Sequence, residues 1–464
     1  MHTKRFRNLS LDLCEDAVRE CFEGKWKRRD VLAFTEKYAG IQRHEILLEY
    51  LTHDRAVRDE AIHAVGLYLW EVLEDLTATG HEPEDLVPVK IRQRPDGMTG
   101  KVRDIALLCI LHQLIGHAAK LMLEPLFDAR LLPTQHASIP GHGQTKLKDQ
   151  TRRLLLADLG IRYYRKTDVV HAYASLQYSV VIGLVRKECP KAGELIAVLE
   201  YLGKLAPDGH LIIGGYLDAW LFNFAMSYAI RFVYTLGVTR RGKFIRHIIR
   251  VETFMDDFSL MSASVKGIER ASAALEIWMR ENLHLDLKYT TGIVKLLSIE
   301  EEKDRKTKET PAARGVPVVD MAGFKIARTH TMIRSRVFLR ARRQFLRGYA
   351  ELQQTGTLRQ VRAQKIISYN SYIEQTDSQK LKDKYHIAEL MAVATAVRGF
   401  HNRLHYKQEQ EALYDLQKRR GRAVPGEGKA GEAAGQDHRP DDGQREALRD
   451  ASRGGPAQPD YVPF

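Results

Sequence analysis

Apolar positions recur at helical spacing in the first part of the chain. Leu11, Cys14, Val18 and Phe22 fall on one face, and Ile62, Val65, Leu69 and Val72 mark a second stripe, so residues 9–80 are predicted to be helical. The period changes at 87–107. A strand-like run (87–94), a turn (95–100) and a returning run (101–107) predict a hairpin with basic residues on both arms. A helix to about Leu131 follows, then a Pro- and Gly-containing loop at 138–144. Residues 161–169 read as a strand that ends near Asp168, and residues 216–235 as a strongly apolar helix. Two apolar, β-rich runs, 247–253 and 258–261, flank Phe254, Met255, Asp256 and Asp257, the pattern of a tight hairpin with two carboxylates at its tip. Val265, Ile268, Ala271, Leu275 and Trp278 mark another amphipathic helix. Residues 297–315 are charged and contain Pro and Gly, which predicts a loop insertion. A very basic helix is expected at 328–347 and further helices at 358–417. From about Arg419 the chain is rich in Gly, Pro, Arg, Asp and Ala and is expected to be disordered, because it cannot bury enough apolar surface. No internal repeat is evident.

Composition narrows the partners. The chain has 464 residues, 44% of them hydrophobic, enough for a large core and about three domains. The net charge of +13 favours a polyanionic partner, most often nucleic acid. The four cysteines, Cys14, Cys21, Cys109 and Cys189, form no CxxC pair. Cys109 has His112 and His117 nearby but no second cysteine to complete a zinc site. All four read as reduced thiols of a cytoplasmic protein. The N-terminal segment lacks the apolar region of a secretory signal, and no apolar run approaches the ~18 residues of a membrane span.

The Asp256-Asp257 pair carries the chemistry. Adjacent carboxylates repel, and a turn built for stability alone would rarely place them after an apolar strand. For a DD dipeptide taken by itself, a solvated turn is the commoner explanation. Two divalent cations would remove the repulsion and would serve in-line nucleotidyl transfer. If Asp168 lies beside the pair, three carboxylates converge on Mg²⁺ (or Mn²⁺), a hard cation that needs only a few carboxylates plus water and phosphate oxygens. The backbone carbonyl of Val169 could add one more. Tyr173, five residues past Asp168, could block the place of a 2′-hydroxyl, the atom that separates RNA from DNA. Taken alone, Tyr173 reads more readily as a core aromatic.

With these residues in order, the chain resembles a reverse transcriptase. Asp168 with Tyr173 is similar to the family's motif A. Ile212-Ile213-Gly214-Gly215-Tyr216-Leu217 is similar to motif B, and Phe254-Met255-Asp256-Asp257 to motif C, with Phe where Tyr is usual. Leu283-His284-Leu285-Asp286-Leu287-Lys288 is similar to motif D, and Asp320-Met321-Ala322-Gly323-Phe324 to the primer grip. The resemblance spans about residues 87 to 330. It implies an α+β, right-hand polymerase fold: a helical N-terminal extension (1–86), fingers (87–160), a palm with an antiparallel sheet (161–330), a helical thumb (331–418) and a disordered tail (419–464).

It also implies roles. Asp168, Asp256 and Asp257 would be catalytic metal ligands with Val169, and Lys288 would protonate or neutralise the leaving pyrophosphate. Arg94, Lys101 and Arg103 would meet the incoming triphosphate of a dNTP, with Tyr173 as gate and Gly215 allowing close approach to the base pair. Gly323, Phe324, Arg334, Arg336, Arg340 and Arg343 would follow the template–primer phosphates. The alternatives are a solvated basic hairpin, a structural turn glycine and a solvated basic helix.

The long helical extension is similar to the bacterial, non-retroviral branch. Neither the maturase and nuclease region of group II intron enzymes nor the characteristic retron motifs are found. Diversity-generating retroelement enzymes usually follow the motif B glycine with Ser-Gln, where this chain has Asp218-Ala219 ahead of Trp220. A carboxylate there would repel phosphates, unless it caps or pairs internally. The sequence resembles most the phage-defence-associated reverse transcriptases, which implies a structured non-coding RNA template, a DNA product and no membrane. A protein partner or homo-oligomer stays open. The diversity-generating type is the runner-up. A non-catalytic nucleic-acid-binding scaffold and an RNA-dependent RNA polymerase are the rivals, opposed by the intact aspartates and by Tyr173 respectively.

Overall fold

The N-terminal periodicity becomes four helices: α1 (Leu11–Phe22), α2 (Arg29–Ala39), α3 (Arg43–Thr52) and α4 (Ala56–Thr79). Ser10 caps α1 by accepting a hydrogen bond from Leu13 N–H (3.2 Å), and Gly80 ends α4 in the left-handed conformation. The buried face of α1, including Leu13, Cys14, Ala17, Val18 and Phe22, packs on α4 and α5 (Ile110–Arg130). The structure, a computed structural model, describes residues 5–52, 55–84, 86–95, 102–307 and 317–422. No helix among them is long and apolar enough to cross a membrane.

Between α4 and α5 lies the expected hairpin, β1 (Lys90–Pro95) with β2 (Val102–Leu107). Then come α6 (Gln144–Ala157), β3 (Tyr163–Val169), the short α7 (Ala172–Ser175), α8 (Tyr178–Glu188), α9 (Gly193–Leu205) and α10 (Tyr216–Thr235). A two-stranded ribbon follows, β4 (Gly237–Arg240) and β5 (Lys243–Arg246), and then β6 (Arg250–Phe254) and β7 (Asp257–Ser262). Next are α11 (Val265–Leu283), β8 (Leu287–Tyr289), β9 (Val294–Lys295), α12 (Ile299–Thr307), β10 (Val319–Met321), β11 (Phe324–Ile326) and β12 (Thr331–Ile333). The described chain ends with α13 (Ser335–Thr355), α14 (Gln360–Glu374), α15 (Gln379–Lys384) and α16 (Ile387–Arg422). This is a mixed helix-and-sheet fold in which helix predominates.

The central sheet is antiparallel, in the order β6-β7-β3-β8, with β9 pairing β3 further along. Side chains alternate faces along a strand, and β3 uses both. Tyr163 and Val169 enter the main core, to which α11 contributes Ile268 and Leu275. Tyr164 enters a second core with Met261, Val319, Phe324 and Ile326, beneath the β10-β11-β12 sheet. A third cluster joins α13, α14 and α16 through Val337, Phe345, Ile366 and Leu390. Among the described residues, those up to Tyr406 cluster as one compact unit and those from Lys407 as another.

Three expectations are corrected. The insertion at 297–315 is not simply a loop, because α12 occupies Ile299–Thr307; residues 308–316 lie outside the described residues. The basic helix starts at Ser335 and not at Arg328. Arg328 is 3% exposed, and its guanidinium donates to the carbonyls of Leu155 at the end of α6, Ile161 before β3 and Leu297 before α12, so it ties these segments together rather than facing phosphates. The disordered segment expected from 419 overlaps α16, which runs to Arg422; the rest of it lies outside the described residues. All four cysteines are free.

Candidate active site

The β6–β7 hairpin pairs Phe254 with Asp257, so its loop is only Met255 and Asp256. Met255 sits at φ 53°, a left-handed conformation that costs a non-glycine residue about 1–2 kcal/mol. The hairpin and its neighbours set up one cross-strand row. Asp257 lies opposite Asp168 on β3, and Asp168 lies opposite Lys288 on β8. Directly opposed residues of an antiparallel pair share a face, so this row places an acid beside an acid beside a base. Asp256 is held at the row's end, where its carbonyl accepts from Val169 N–H (3.0 Å). Val169 itself is buried.

Two residues before Asp168, and therefore on the same face, is Lys166. Its ammonium lies 2.6 Å from Asp257 Oδ2 and 3.8 Å from Asp168 Oδ1. Burial, a hydrogen bond with Asp257 and the charge of Asp257 push the Asp168 carboxyl up to about 7. Burial, then the charge of Asp257, also raises Asp256. Asp168 Oδ1 is buried with no hydrogen-bond partner. A crowded carboxylate pair, an orphaned oxygen and an ammonium drawn between them fit a cation site with hard oxygen donors. Among the described residues, no three His, Cys, Asp or Glu side chains close into a complete ligand set. A Mg²⁺ here would therefore draw on Asp168 and Asp257, with water or substrate oxygens completing its shell.

Tyr173 approaches the same turn. Its hydroxyl is 3.8 Å from Met255 Sδ, and its ring stacks on Phe222 of α10 at 5.4 Å. Burial, then the negative charges of Asp218 and Asp256, holds its phenol well above the usual range, while Arg103 opposes that. Arg103 likewise acts on Asp256, so the β1–β2 hairpin brings a guanidinium toward the carboxylates. Arg94 is directly across the hairpin from Arg103, and both are half-buried. Lys101 lies outside the described residues.

The segment before α10 is pinned from two sides. Ala106 N–H of β2 donates to Ile213 O (2.8 Å), and Gly214, at φ 109°, lies so close that an added Cβ would be 2.8 Å from Ala106 O. From within, Asp218 is 3% exposed and accepts from Ile212 N–H (2.9 Å) and the Tyr178 hydroxyl (3.1 Å). Burial pushes its carboxyl up to about 6 against the pull of those two bonds. Of the two readings left open for Asp218, repulsion of phosphates or internal pairing, the structure shows the second: it is an internal clamp. A Cβ on Gly215 would fall 1.8 Å from Asp218 Oδ2, so the clamp alone requires glycine there. Trp220 stacks on Phe127 (5.4 Å) and is packing material.

The remaining candidates divide. Lys288 is exposed on the row described above. Phe324 is 0% exposed, because its register opposite Met321 and Ile333 points it into the second core, so it cannot be a nucleic-acid contact. Gly323 (φ 88°) turns the β10–β11 hairpin against Tyr372. Arg334 is paired with Asp320. On α13, Arg336, Arg340, Arg343 and Arg347 share one face at i, i+4, i+7 and i+11. All but the half-buried Arg340 are exposed, opposite a buried face of Val337, Ala341 and Phe345. Sequence reasoning missed Lys166, although its place two residues before Asp168 was visible. It also missed the buried pair of His136 and Glu252 (2.7 Å), which joins residues distant in sequence.

The sequence matches no family model and no curated protein. Solved structures with a related chain path include a telomerase from Candida albicans in complex with a fragment of telomeric RNA (12% identity, 70% of this chain and 64% of that chain, TM-score 0.36). They also include a Sicinivirus 3Dpol RNA-dependent RNA polymerase (12% identity, 71% of each chain, TM-score 0.36) and an apo telomerase from Candida tropicalis (10%, 62% and 61%, TM-score 0.32). The chain thus spans less than two thirds of either telomerase structure. At these values the likeness carries no argument about this chain, and the site must speak through its own geometry.

Proposed function

We propose that this chain is an RNA-directed DNA polymerase whose reaction centre is the Asp257–Asp168–Lys288 row with Asp256 at its end. The observation that carries this reading is the register of β3: two half-buried carboxylates face each other next to a third, with an orphaned oxygen and a cation already drawn in. Asp168 and Asp257 would hold Mg²⁺ or Mn²⁺, with the Asp256 carboxylate adding negative charge at the row's end; when bound, the metal would activate a primer 3′-hydroxyl and neutralise the leaving pyrophosphate. Arg103, with Arg94 across the hairpin, offers guanidinium forks to the triphosphate of a dNTP. Lys288 can place an ammonium at the far end of the row, where leaving-group charge would develop. Tyr173 fills space beside Met255 and selects deoxynucleotides sterically. The exposed arginines of α13 give a template–primer duplex a charged track. On the resemblance to phage-defence-associated reverse transcriptases, we further read the template as a structured non-coding RNA copied in the cytoplasm.

The test uses the purified full chain, a primed RNA template, Mg²⁺ and labelled dNTPs. Incorporation is expected, and Asp256→Asn should reduce it by orders of magnitude with a melting temperature no lower than that of wild type, since it removes a like charge and leaves the backbone bond to Val169 intact. A wild-type chain that incorporates no dNTP, or an Asp256→Asn variant as active as wild type, would overturn the reading.

A further inference from the structure

We infer that the β4–β5 ribbon is a second nucleic-acid contact, one that takes unpaired strands through phosphate charge and a stacking ring. The inference rests on the polymerase reading only in expecting nucleic acid near this chain.

The ribbon stands out from the core. Its register pairs Arg240 with Lys243 around a two-residue loop, Arg241 and Gly242, with φ values of 50° and 74°. Both positive values define a type I′ turn, whose first position ordinarily takes Asn, Asp or Gly. An arginine there carries a backbone cost that a purely structural turn would shed, and it sets a guanidinium at the tip. Arg240, Arg241, Lys243 and Arg246 are all exposed, and the first three make no ion pair among the described residues. No Asp or Glu occurs from residue 219 to residue 251, so the ribbon is a patch of uncompensated positive charge.

Alternation gives the two faces different characters. Arg240 and Lys243 share a face with Val238 and Ile245, while Phe244 shares the other with Thr239, Arg246 and Gly237. Phe244 is 51% exposed. Its ring edge reaches over Gly237, where an added Cβ would meet Phe244 Cζ at 2.5 Å. The glycine thus lets the ring settle on the ribbon beside Arg246, which itself lies 5.6 Å from the Tyr234 ring centre. An open aromatic beside one exposed cation, on a ribbon whose tip and other face carry three more, suits single strands held without sequence preference: bases stack on rings and the cations track phosphates. An acidic protein would complement the charge but would leave the exposed ring without a role.

The ribbon is anchored rather than loose. His247 N–H donates to Leu236 O (2.9 Å), and the Ser262 hydroxyl donates to His247 O (2.5 Å). It joins the end of β6 opposite the carboxylates, roughly 17 Å away at the usual rise per residue. Substitutions there leave the reaction centre untouched.

The experiment measures anisotropy of the full chain with a labelled single-stranded oligouridylate and with a labelled RNA duplex, across a salt series. Arg240→Ala/Arg241→Gly/Lys243→Ala keeps a favourable turn and removes three charges. It should lower the slope of log K against log salt on the single strand by about 2, at ~0.7 per phosphate. Phe244→Ala should weaken single-strand binding about tenfold, with the slope unchanged and duplex binding within about twofold. Arg241→Gly alone, which relieves the backbone, should lower the slope by about 0.7 and covers failure of the triple variant to fold. Unchanged slopes in both charge variants overturn the inference. So does poly-glutamate binding that the variants abolish while oligouridylate binding persists, which assigns the ribbon to a protein. Asp256→Asn should bind oligouridylate as wild type does. Ribbon effects in a chain that incorporates no dNTP would leave the ribbon standing and remove the polymerase reading, whereas incorporation with unchanged slopes would do the reverse.

Discussion

Replacing Asp218 with Asn should change how stability depends on pH, by an amount the structure sets. Asp218 is 3% exposed, and burial raises its carboxyl from 3.8 to about 6. For an acid raised on folding, the native state holds more protons than the unfolded state between those two values. Stability therefore falls as pH rises through about 4 to 6, and above that window the penalty is constant. At 1.36 kcal/mol per pH unit, the interval is worth about 3 kcal/mol. Asn cannot ionise, so the variant's stability relative to wild type should climb by about 3 kcal/mol across the window. Urea unfolding of both proteins at half-unit steps from pH 4 to 7 measures this, and taking the difference cancels Asp168, which titrates in both. Asp218→Ala leaves Ile212 N–H and the Tyr178 hydroxyl without their acceptor, at about 1–3 kcal/mol each, and should be less stable than Asp218→Asn at every pH. A difference curve that stays flat with pH, or an Ala variant as stable as the Asn one, would refute the buried clamp.

Three further outcomes are expected. Tyr173→Ala should raise the ratio of ribonucleotide to deoxynucleotide incorporation; an unmoved ratio would mean that another group is the gate. Phe324→Ala should cost about 3–5 kcal/mol in chemical denaturation, as a core cavity does, against the near-neutral effect of removing a surface contact. Lys166→Met removes the ammonium between Asp168 and Asp257, so added Mg²⁺ should raise its melting temperature more than it raises that of wild type. Equal increments would show that the ammonium and the metal do not compete.

The hairpin that carries Asp256 and Asp257 and the strand that ends near Asp168 were legible from composition and a period of two. That these strands pair, and that β8 brings Lys288 alongside, depends on partners about 90 to 120 residues apart, which local patterns do not show. The helical character of residues 9–80 and the β1–β2 hairpin were legible too, though not the division of the first into four helices. What was hidden depends on distant partners. Phe324 reads as an exposed turn neighbour until β10 and β12 close around it and the second core forms. Arg328 sits in a basic run, yet its guanidinium is bound by carbonyls from the end of α6 and the segment before β3, more than a hundred residues away in sequence. Asp218 could be read as a nucleotide-facing charge because nothing local shows that Tyr178 would donate to it. The charged segment now in α12 looked like a loop because its helix is short and has little buried surface.

Three departures from stabilising practice coincide at the carboxylate row. Met255 holds a left-handed backbone, Asp168 is half-buried against Asp257, and Asp168 Oδ1 lacks a partner. All three lie at one end of the central sheet. The same strand, β3, is secured on one face by the main core through Val169 and on the other by Tyr164, which is fully buried. A rigidly held strand can carry locally unfavourable charge that an edge loop would relieve by moving. Lys166 softens the repulsion without abolishing it, since its ammonium is close to Asp257 but 3.8 Å from the orphaned oxygen of Asp168. A sheet shaped for stability alone would place Thr or Asn in this row and gain on every count. Strain and unmet charge held together in a well-packed strand support the proposed reaction centre. They also explain why Asp256→Asn separates the two roles: the substitution relieves the fold while removing a charge that the proposed chemistry requires.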